Sequence, residues 1–301
     1  MSFIFELWDE YKKINEELKK DFLCIPPYAC VTGKFIGELV QNLKNGQVNS
    51  PKIFGAINSP WQRAYQIEYR YKKCKIFEPF IKIIEYATYD AMNGNFICSY
   101  LSLLPVVEAV LRKWSDEEPE LSFERIKELK PKLETFLKAN EFYPDDRVNI
   151  TDGYVDYLKY ILFDVLFLRF KEYEDKNFKT IFNRNLTLHK LEGADFEETV
   201  ASKTQIFLVL DIIAELYLMQ DPQKYWENSF YANPEENIDF QLHFNLYMHI
   251  IAKVFGTNDI NAVNFMLEEK SLSKKQEALS FLKAKNDFVW KKVGDKEYGE
   301  S

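Results

Sequence analysis

Apolar residues recur at spacings of three and four along most of this chain, and this periodicity limits the possible folds more than any other feature. Residues 3–23 show it first, with Lys and Glu between the apolar positions Phe3, Leu7, Tyr11, Ile14 and Leu18. The 301 residues include only 10 Gly and 11 Pro, which argues against collagen-like, low-complexity and glycine-rich β chains. The sequence therefore predicts an all-α protein built as a helical bundle.

The same pattern predicts most of the individual helices. We expect them over residues 3–23, 33–43, 61–89, 96–114, 121–139, 154–172, 199–219, 239–255 and 259–270, and the helix over 61–89 is expected to break at Pro79. A capping box formed by Ser273 and Gln276 predicts one more helix after it. Asp152 is the expected N-cap of the helix over 154–172. Residues 46–60 contain clustered Asn, Gly, Ser and Pro and predict a loop, with a weak strand signal at 53–57.

Proline positions divide the chain into three predicted parts. A boundary near Pro60 separates an N-terminal helical extension, residues 1–60, from a bundle over 61–221. Pro222 ends the strongly apolar helix 199–219, so residues 222–301 form a C-terminal helical extension. The apolar stretch 154–170 is interrupted by four charged residues and is short for a membrane span, so we expect a buried helix and no membrane association.

Charge and cysteine content restrict the function classes. The net charge of −8 excludes a chain that coats nucleic acid as a whole. Residues 1–75 nevertheless carry 12 Lys and Arg against 8 Asp and Glu, either by ordinary scatter or because this part helps to hold a polyanion. The four cysteines form no metal-binding pattern, and no secretory signal precedes them, so we expect reduced thiols, a cytoplasmic protein and no metal or cofactor.

Only three histidines are available for acid–base chemistry. His243 and His249 lie six residues apart in one aromatic helix and are expected to be core or surface residues. His189 follows Arg184 and Asn185 in the segment 181–193, where a helix is expected to begin near Arg184. In a helix Arg184 and His189 would lie about 140° apart, so both could face a second copy of the helix across a two-fold axis. A guanidinium can hold phosphate oxygens and an imidazole can transfer protons near neutral pH, which suits cleavage of an RNA phosphodiester.

The segment containing Arg184, Asn185 and His189 resembles the R-x4–6-H signature of the HEPN superfamily, with a polar residue after the Arg. The apolar helix expected over 199–219 is similar to the helix that follows this signature in the family. The stretch 99–114 is similar to a bundle helix that carries a Glu before a short basic run. The resemblance covers residues 62–220, and none is seen outside them.

The resemblance implies a helical bundle of HEPN type that dimerises through the motif helix, with additional N- and C-terminal helices. It implies a metal-independent endoribonuclease of phage defence or a toxin–antitoxin system, with an antitoxin or sensor protein as a further partner. Arg184 would stabilise the phosphate, His189 would transfer protons, and Asn185 would bind substrate or orient a catalytic group. Two alternatives stay open: a non-catalytic interaction or nucleotide-sensing module, and a helical scaffold in which Arg184 and His189 share no role.

Overall fold

The computed structural model describes residues 8–27, 33–123, 126–139, 148–176, 178, 182–189, 200–221, 234 and 236–255. These residues form twelve α-helices with short 3-10 segments between some of them, and they contain no strand. The all-α prediction is therefore confirmed. The helices are α1 (Trp8–Lys19), α2 (Gly33–Lys44), α3 (Ser50–Asn58), α4 (Pro60–Tyr69), α5 (Ile81–Met92), α6 (Phe96–Glu117), α7 (Ile126–Ala139), α8 (Val148–Ile161), α9 (Phe170–Asp175), α10 (Arg184–His189), α11 (Val200–Met219) and α12 (Ile238–Phe255).

Helix α11 lies at the centre of the bundle. Every side chain from Thr204 to Leu216 is buried, so this helix is enclosed on all sides. It packs against α3, α6 and α8, while α5 packs on the other side of α6. An apolar sequence around the whole circumference is what a fully enclosed helix requires.

Helix α12 packs on α4 and also contacts α5. Phe240 of α12 meets the aromatic rings of Trp61 and Tyr69 on α4, at centroid distances of 5.8 and 6.1 Å. Because these aromatic contacts lie on one side of α12, its opposite side faces solvent, and Ile238 and Leu242 are exposed there.

The predicted loop over 46–60 is wrong over most of its length, and so is the strand at 53–57, because α3 occupies Ser50–Asn58. Pro51 lies in the first turn of this helix, where a proline costs no hydrogen bond. Ile53, Phe54 and Ile57 are buried, and α3 packs on α11. Burial of these side chains against α11 therefore stabilises a helix whose local sequence is typical of a loop.

The helix expected over 154–172 differs at both ends. Helix α8 begins at Val148, so Asp152 lies inside it and is not its N-cap. At the other end, α8 passes into a π-helical turn at Leu162–Leu166, and a separate helix, α9, follows. The chain is thus divided into two helices just before the segment that carries the motif.

Several other expectations agree closely with the structure, whereas the helix expected over 3–23 ends at Lys19 and the helix expected over 121–139 begins at Ile126. Helices α2, α6, α11 and α12 lie within three residues of their expected bounds, and 3-10 segments over Tyr71–Lys73 and Lys75–Phe80 interrupt the helix expected over 61–89, with Pro79 in the second. The helices expected after residue 258, including that of the Ser273–Gln276 capping box, lie outside the described residues.

One apolar core runs through the described part of the chain. It contains Ile14 of α1, Ile53 of α3, Trp114 of α6 and Phe240 of α12, and so includes residues from each of the three predicted parts. Within the described ranges, no helix is both long and apolar enough to cross a membrane.

Candidate functional site

The motif segment begins with Asn183, which forms the N-cap of α10. Its Oδ1 accepts a hydrogen bond from the Leu186 amide at 3.0 Å, as N-cap side chains do. Its Nδ2 donates to the carbonyl oxygens of Val165 at 2.6 Å and Leu168 at 3.0 Å. Val165 lies in the π-helical turn and Leu168 two residues after it, so Asn183 attaches the motif segment to the end of α8. Asn183 therefore fixes where the motif helix begins, a role that the sequence analysis missed although an Asn before a helix start is a recognisable signal.

Arg184 is the first residue of α10, as the sequence predicted, and its side chain is 36% exposed. Its Nε lies 3.5 Å from Oε2 of Glu108 on α6. Oε1 of the same carboxylate accepts a hydrogen bond from Arg112 at 2.8 Å, which makes an i,i+4 ion pair on that helix. Two guanidinium groups thus share one carboxylate.

Asn185 is half-buried and its amide is already engaged. Its Nδ2 donates to the Leu168 carbonyl at 3.1 Å, the same carbonyl that Asn183 contacts. Both Asn side chains therefore attach α10 to the segment after α8. His189 is the last residue of α10, and its side chain lies outside the described part of the structure.

The described tyrosines near α10 are poor candidates for proton transfer at neutral pH. Tyr173 accepts a hydrogen bond from the Phe182 amide at 3.0 Å, and burial raises the pKa of this tyrosine to about 12. Burial also raises the pKa of Tyr100 well above its usual range, and its hydroxyl lies 3.4 Å from that of Thr187. Histidine is the side chain that ordinarily titrates near neutral pH, and His189 is the one histidine in α10.

A second polar cluster crosses the core between α4 and α11. Arg63 donates to Asp211 at 2.5 and 3.3 Å, and the Tyr71 hydroxyl donates to the same carboxylate. Four residues further along α11, Glu215 accepts a hydrogen bond from Nε of Arg70 at 2.9 Å. The side chains of Arg63 and Asp211 are 1% and 0% exposed, so no substrate reaches this pair. The sequence analysis did not identify these pairs, although Asp211 and Glu215, four residues apart in an apolar helix, were a visible signal.

A third cluster surrounds His243 on α12. Its Nδ1 lies 2.8 Å from Glu68 on α4, and its Nε2 lies 3.5 Å from Glu85 on α5. Lys72 lies 2.6 Å from Glu68 and 4.0 Å from Glu85. Burial favours the neutral form of Glu68, but the hydrogen bonds from His243 and Lys72 outweigh it and lower the pKa of this carboxyl. The cluster holds three helices together, and His243 is a half-buried residue within it.

A cleft of about 440 Å³ lies between α1 and α8. Lys12, Lys19, Glu16 and Asp156 line it, so its charges balance, and its residues are separate from the motif. Burial raises the pKa of the Cys24 thiol at this cleft, which disfavours the reactive thiolate. Among the described residues, no three His, Cys, Asp or Glu side chains are grouped so that they could hold a metal ion.

Comparison of the chain with protein-family models, with curated proteins and with solved structures gives no significant match.

Proposed function

We propose that this protein is a metal-independent endoribonuclease of HEPN type, with Arg184, Asn185 and His189 at its active site. The observation that carries the proposal is the placement of Arg184. Its guanidinium is partly exposed at the start of the motif helix and is held by Glu108, which belongs to the helix that the family resemblance singled out. An accessible, oriented arginine next to a second one, Arg112, suits the binding of a phosphate group.

In the proposed reaction the 2′-oxygen of RNA attacks the adjacent phosphorus. The bond between the 2′-oxygen and phosphorus forms while the bond to the 5′-oxygen breaks, which yields a 2′,3′-cyclic phosphate and a 5′-hydroxyl. An imidazole of His189 takes the proton of the 2′-hydroxyl or gives a proton to the leaving 5′-oxygen. Arg184 stabilises the negative charge that grows on the phosphate oxygens. Asn185 acts by holding α10 in place through Leu168.

The active unit would be a homodimer formed through the motif helix. Arg184 and His189 lie about 140° apart around an α-helix, so one copy does not direct both groups at the same point. Two copies related by a two-fold axis would provide two arginines and two histidines to one cleft. One imidazole could then act as base while the other acts as acid.

The biological setting that fits this chemistry is phage defence or a toxin–antitoxin system. The protein would act in the cytoplasm, where RNA is available, and an antitoxin or a sensor protein would restrain it. The positive excess of residues 1–75 would draw RNA toward an otherwise acidic chain.

The test is cleavage of total tRNA and mRNA by the purified full-length protein in excess EDTA. We expect the parent to release fragments with 2′,3′-cyclic phosphate ends and to leave DNA of the same sequence intact. His189→Ala and Arg184→Ala should each reduce cleavage by about 100-fold or more. Circular dichroism should show that both variants keep the parent's helix content.

Matched controls are Lys82→Ala and His249→Ala, which remove an exposed cation on α5 and an exposed histidine on α12. Both should cleave at the parental rate. Equal cleavage by His189→Ala and the parent would show that the site is assigned wrongly. If the parent itself leaves RNA intact, the non-catalytic interaction or nucleotide-sensing module becomes the better explanation.

A further inference from the structure

The Arg112 side chain on α6 is held on two sides. Its Nε and Nη2 donate to Oε1 of Glu108 at 3.2 and 2.8 Å. Its Cζ lies 4.9 Å from the centroid of the Phe123 ring, which is buried. The arginine side chain itself is 46% exposed. A guanidinium that is both oriented and accessible loses little conformational freedom when it binds an anion.

The contacts between α6 and α10 place Arg112 beyond the start of the motif helix. The Thr187 hydroxyl of α10 lies 3.4 Å from that of Tyr100 on α6. Arg184, three residues earlier on α10, lies 3.5 Å from Glu108, eight residues later on α6. The two helices therefore run in opposite directions at this contact. Arg112 comes one turn after Glu108, about 6 Å along the axis, and so lies on the side away from the C-terminal end of α10.

The carboxylate of Glu108 separates the guanidinium groups of Arg184 and Arg112. The first contacts Oε2 and the second Oε1, so Nε of Arg184 and Nη2 of Arg112 are at most about 9 Å apart. An anion placed between them would meet the negative carboxylate, which disfavours a single phosphate shared by both arginines. Two anions, each on the solvent side of one guanidinium, avoid this repulsion. Successive phosphates of one RNA strand provide such a pair of anions.

We propose that Arg112 binds the RNA phosphate next to the one that is cleaved, while Arg184 holds the cleaved phosphate. This inference rests on the proposed ribonuclease function and adds a binding subsite to it. Nε and Nη2 of Arg112 donate to Glu108, so the phosphate oxygen accepts its hydrogen bond from Nη1. Because the contact is the same in the ground state and in the transition state, it lowers KM and leaves kcat unchanged. The preferred substrate is therefore an RNA strand with at least two successive phosphates.

The test removes one charge from the RNA and one from the protein. Once a cut in tRNA or mRNA has been located, an oligonucleotide that spans it is synthesised with a neutral methylphosphonate in place of one neighbouring phosphate at a time. For the parent, one of the two neighbouring replacements should raise KM by about tenfold and leave kcat unchanged. Arg112→Ala should raise KM for the unmodified oligonucleotide by a similar factor, and that replacement should then have no further effect.

The control variant is Lys82→Ala, which removes an exposed cation on α5 and should respond to the replacement as the parent does. Circular dichroism should show that Arg112→Ala keeps the parent's helix content. The proposal is overturned if Arg112→Ala stays as sensitive to the replacement as the parent is. It is also overturned if Arg112→Ala lowers kcat and leaves KM unchanged, because Arg112 would then act on Arg184 through Glu108.

A binding measurement separates this proposal from the ribonuclease function. In the His189→Ala background, fluorescence anisotropy gives the association constant of a labelled single-stranded RNA at several salt concentrations. Adding Arg112→Ala should make the slope of log K against log salt shallower by about 0.7, as the loss of one phosphate contact does. An unchanged slope overturns the Arg112 contact. A shallower slope in a protein whose parent cleaves no RNA would support the contact and refute the ribonuclease function.

Discussion

Asp211 has no exposed surface, yet it accepts hydrogen bonds from both Arg63 and Tyr71. A buried carboxylate is costly to desolvate, and it persists here because a guanidinium and a hydroxyl satisfy it. Its partners lie about 140 or more residues away in the sequence. This pair therefore fixes how α4 lies against α11.

Removing this carboxylate should destabilise the protein strongly. Asp211→Ala leaves Arg63 charged, buried and without its carboxylate, and we expect the free energy of unfolding to fall by about 3–5 kcal/mol. Urea unfolding followed by circular dichroism measures the loss. The control is Asp156→Ala, whose carboxylate is 77% exposed, and it should change the free energy by less than about 0.5 kcal/mol.

Replacing the whole pair separates charge from packing. Arg63→Met combined with Asp211→Leu should recover most of the stability that Asp211→Ala loses, because no unpaired buried charge remains. A loss below about 1 kcal/mol for Asp211→Ala alone would contradict the role assigned to this pair.

Glu108 is a positioning residue for Arg184 under the proposed function. Glu108→Gln should lower kcat/KM for RNA by about tenfold, because the guanidinium loses its charged anchor. The free energy of unfolding should change by less than about 1 kcal/mol, since the ion pair is partly exposed. An RNA cleavage assay measures kcat/KM, and urea unfolding measures the free energy of unfolding. The control is Glu172→Gln, which changes an exposed carboxyl and should keep the parental kcat/KM. If Glu108→Gln also cleaves RNA at the parental rate, Glu108 does not position Arg184.

At the scale of single elements, the π-helical turn Leu162–Leu166 explains how the motif helix is held. The turn ends α8, and two Asn side chains of the motif segment donate hydrogen bonds to carbonyl groups in the turn and just after it. Such turns are rare in proteins, and many of those that occur lie at functional sites. Neither the turn nor its contacts follow from the local sequence, since the apolar periodicity of residues 154–170 predicts one uninterrupted helix.

The cluster of Glu68, Lys72, Glu85 and His243 attaches α12 to α4 and α5, and it predicts a pH dependence. The pKa of Glu68 is lower in the folded state than in the unfolded state. Its contribution to stability is therefore complete above the unfolded value of about 4.3 and is lost as the pH falls through the lower folded value. Urea unfolding of the parent between pH 5 and 3 should show this loss.

Glu68→Gln should make that pH dependence shallower, because the group that binds the extra proton in the unfolded state is gone. Glu172→Gln, which changes an exposed carboxyl on α9, should keep the parental slope below pH 5. Equal slopes for Glu68→Gln and the parent would show that this carboxyl does not contribute.

At the scale of the whole molecule, the proposed composite site requires two copies of the chain. The specific activity in EDTA should therefore fall when the protein is diluted to concentrations below the dissociation constant of the dimer. Analytical ultracentrifugation over the same concentrations should show a dimer converting to a monomer. Constant specific activity of a purely monomeric protein would contradict the two-fold arrangement of Arg184 and His189.

The sequence by itself determined the all-α class, the extents of helices such as α2, α11 and α12, and the start of the motif helix at Arg184. These features depend on side-chain periodicity, prolines and capping residues, which act within a few positions of one another. The chemistry proposed for Arg184 and His189 likewise comes from a local motif.

Only the tertiary structure decided the rest. Helix α3 exists because Ile53, Phe54 and Ile57 are buried against distant parts of the chain, while its own residues resemble a loop. Arg184 meets Glu108, and Arg63 meets Asp211, because packing brings separate helices together. Such contacts depend on how whole helices bury their apolar surfaces, and no short stretch of sequence contains that information.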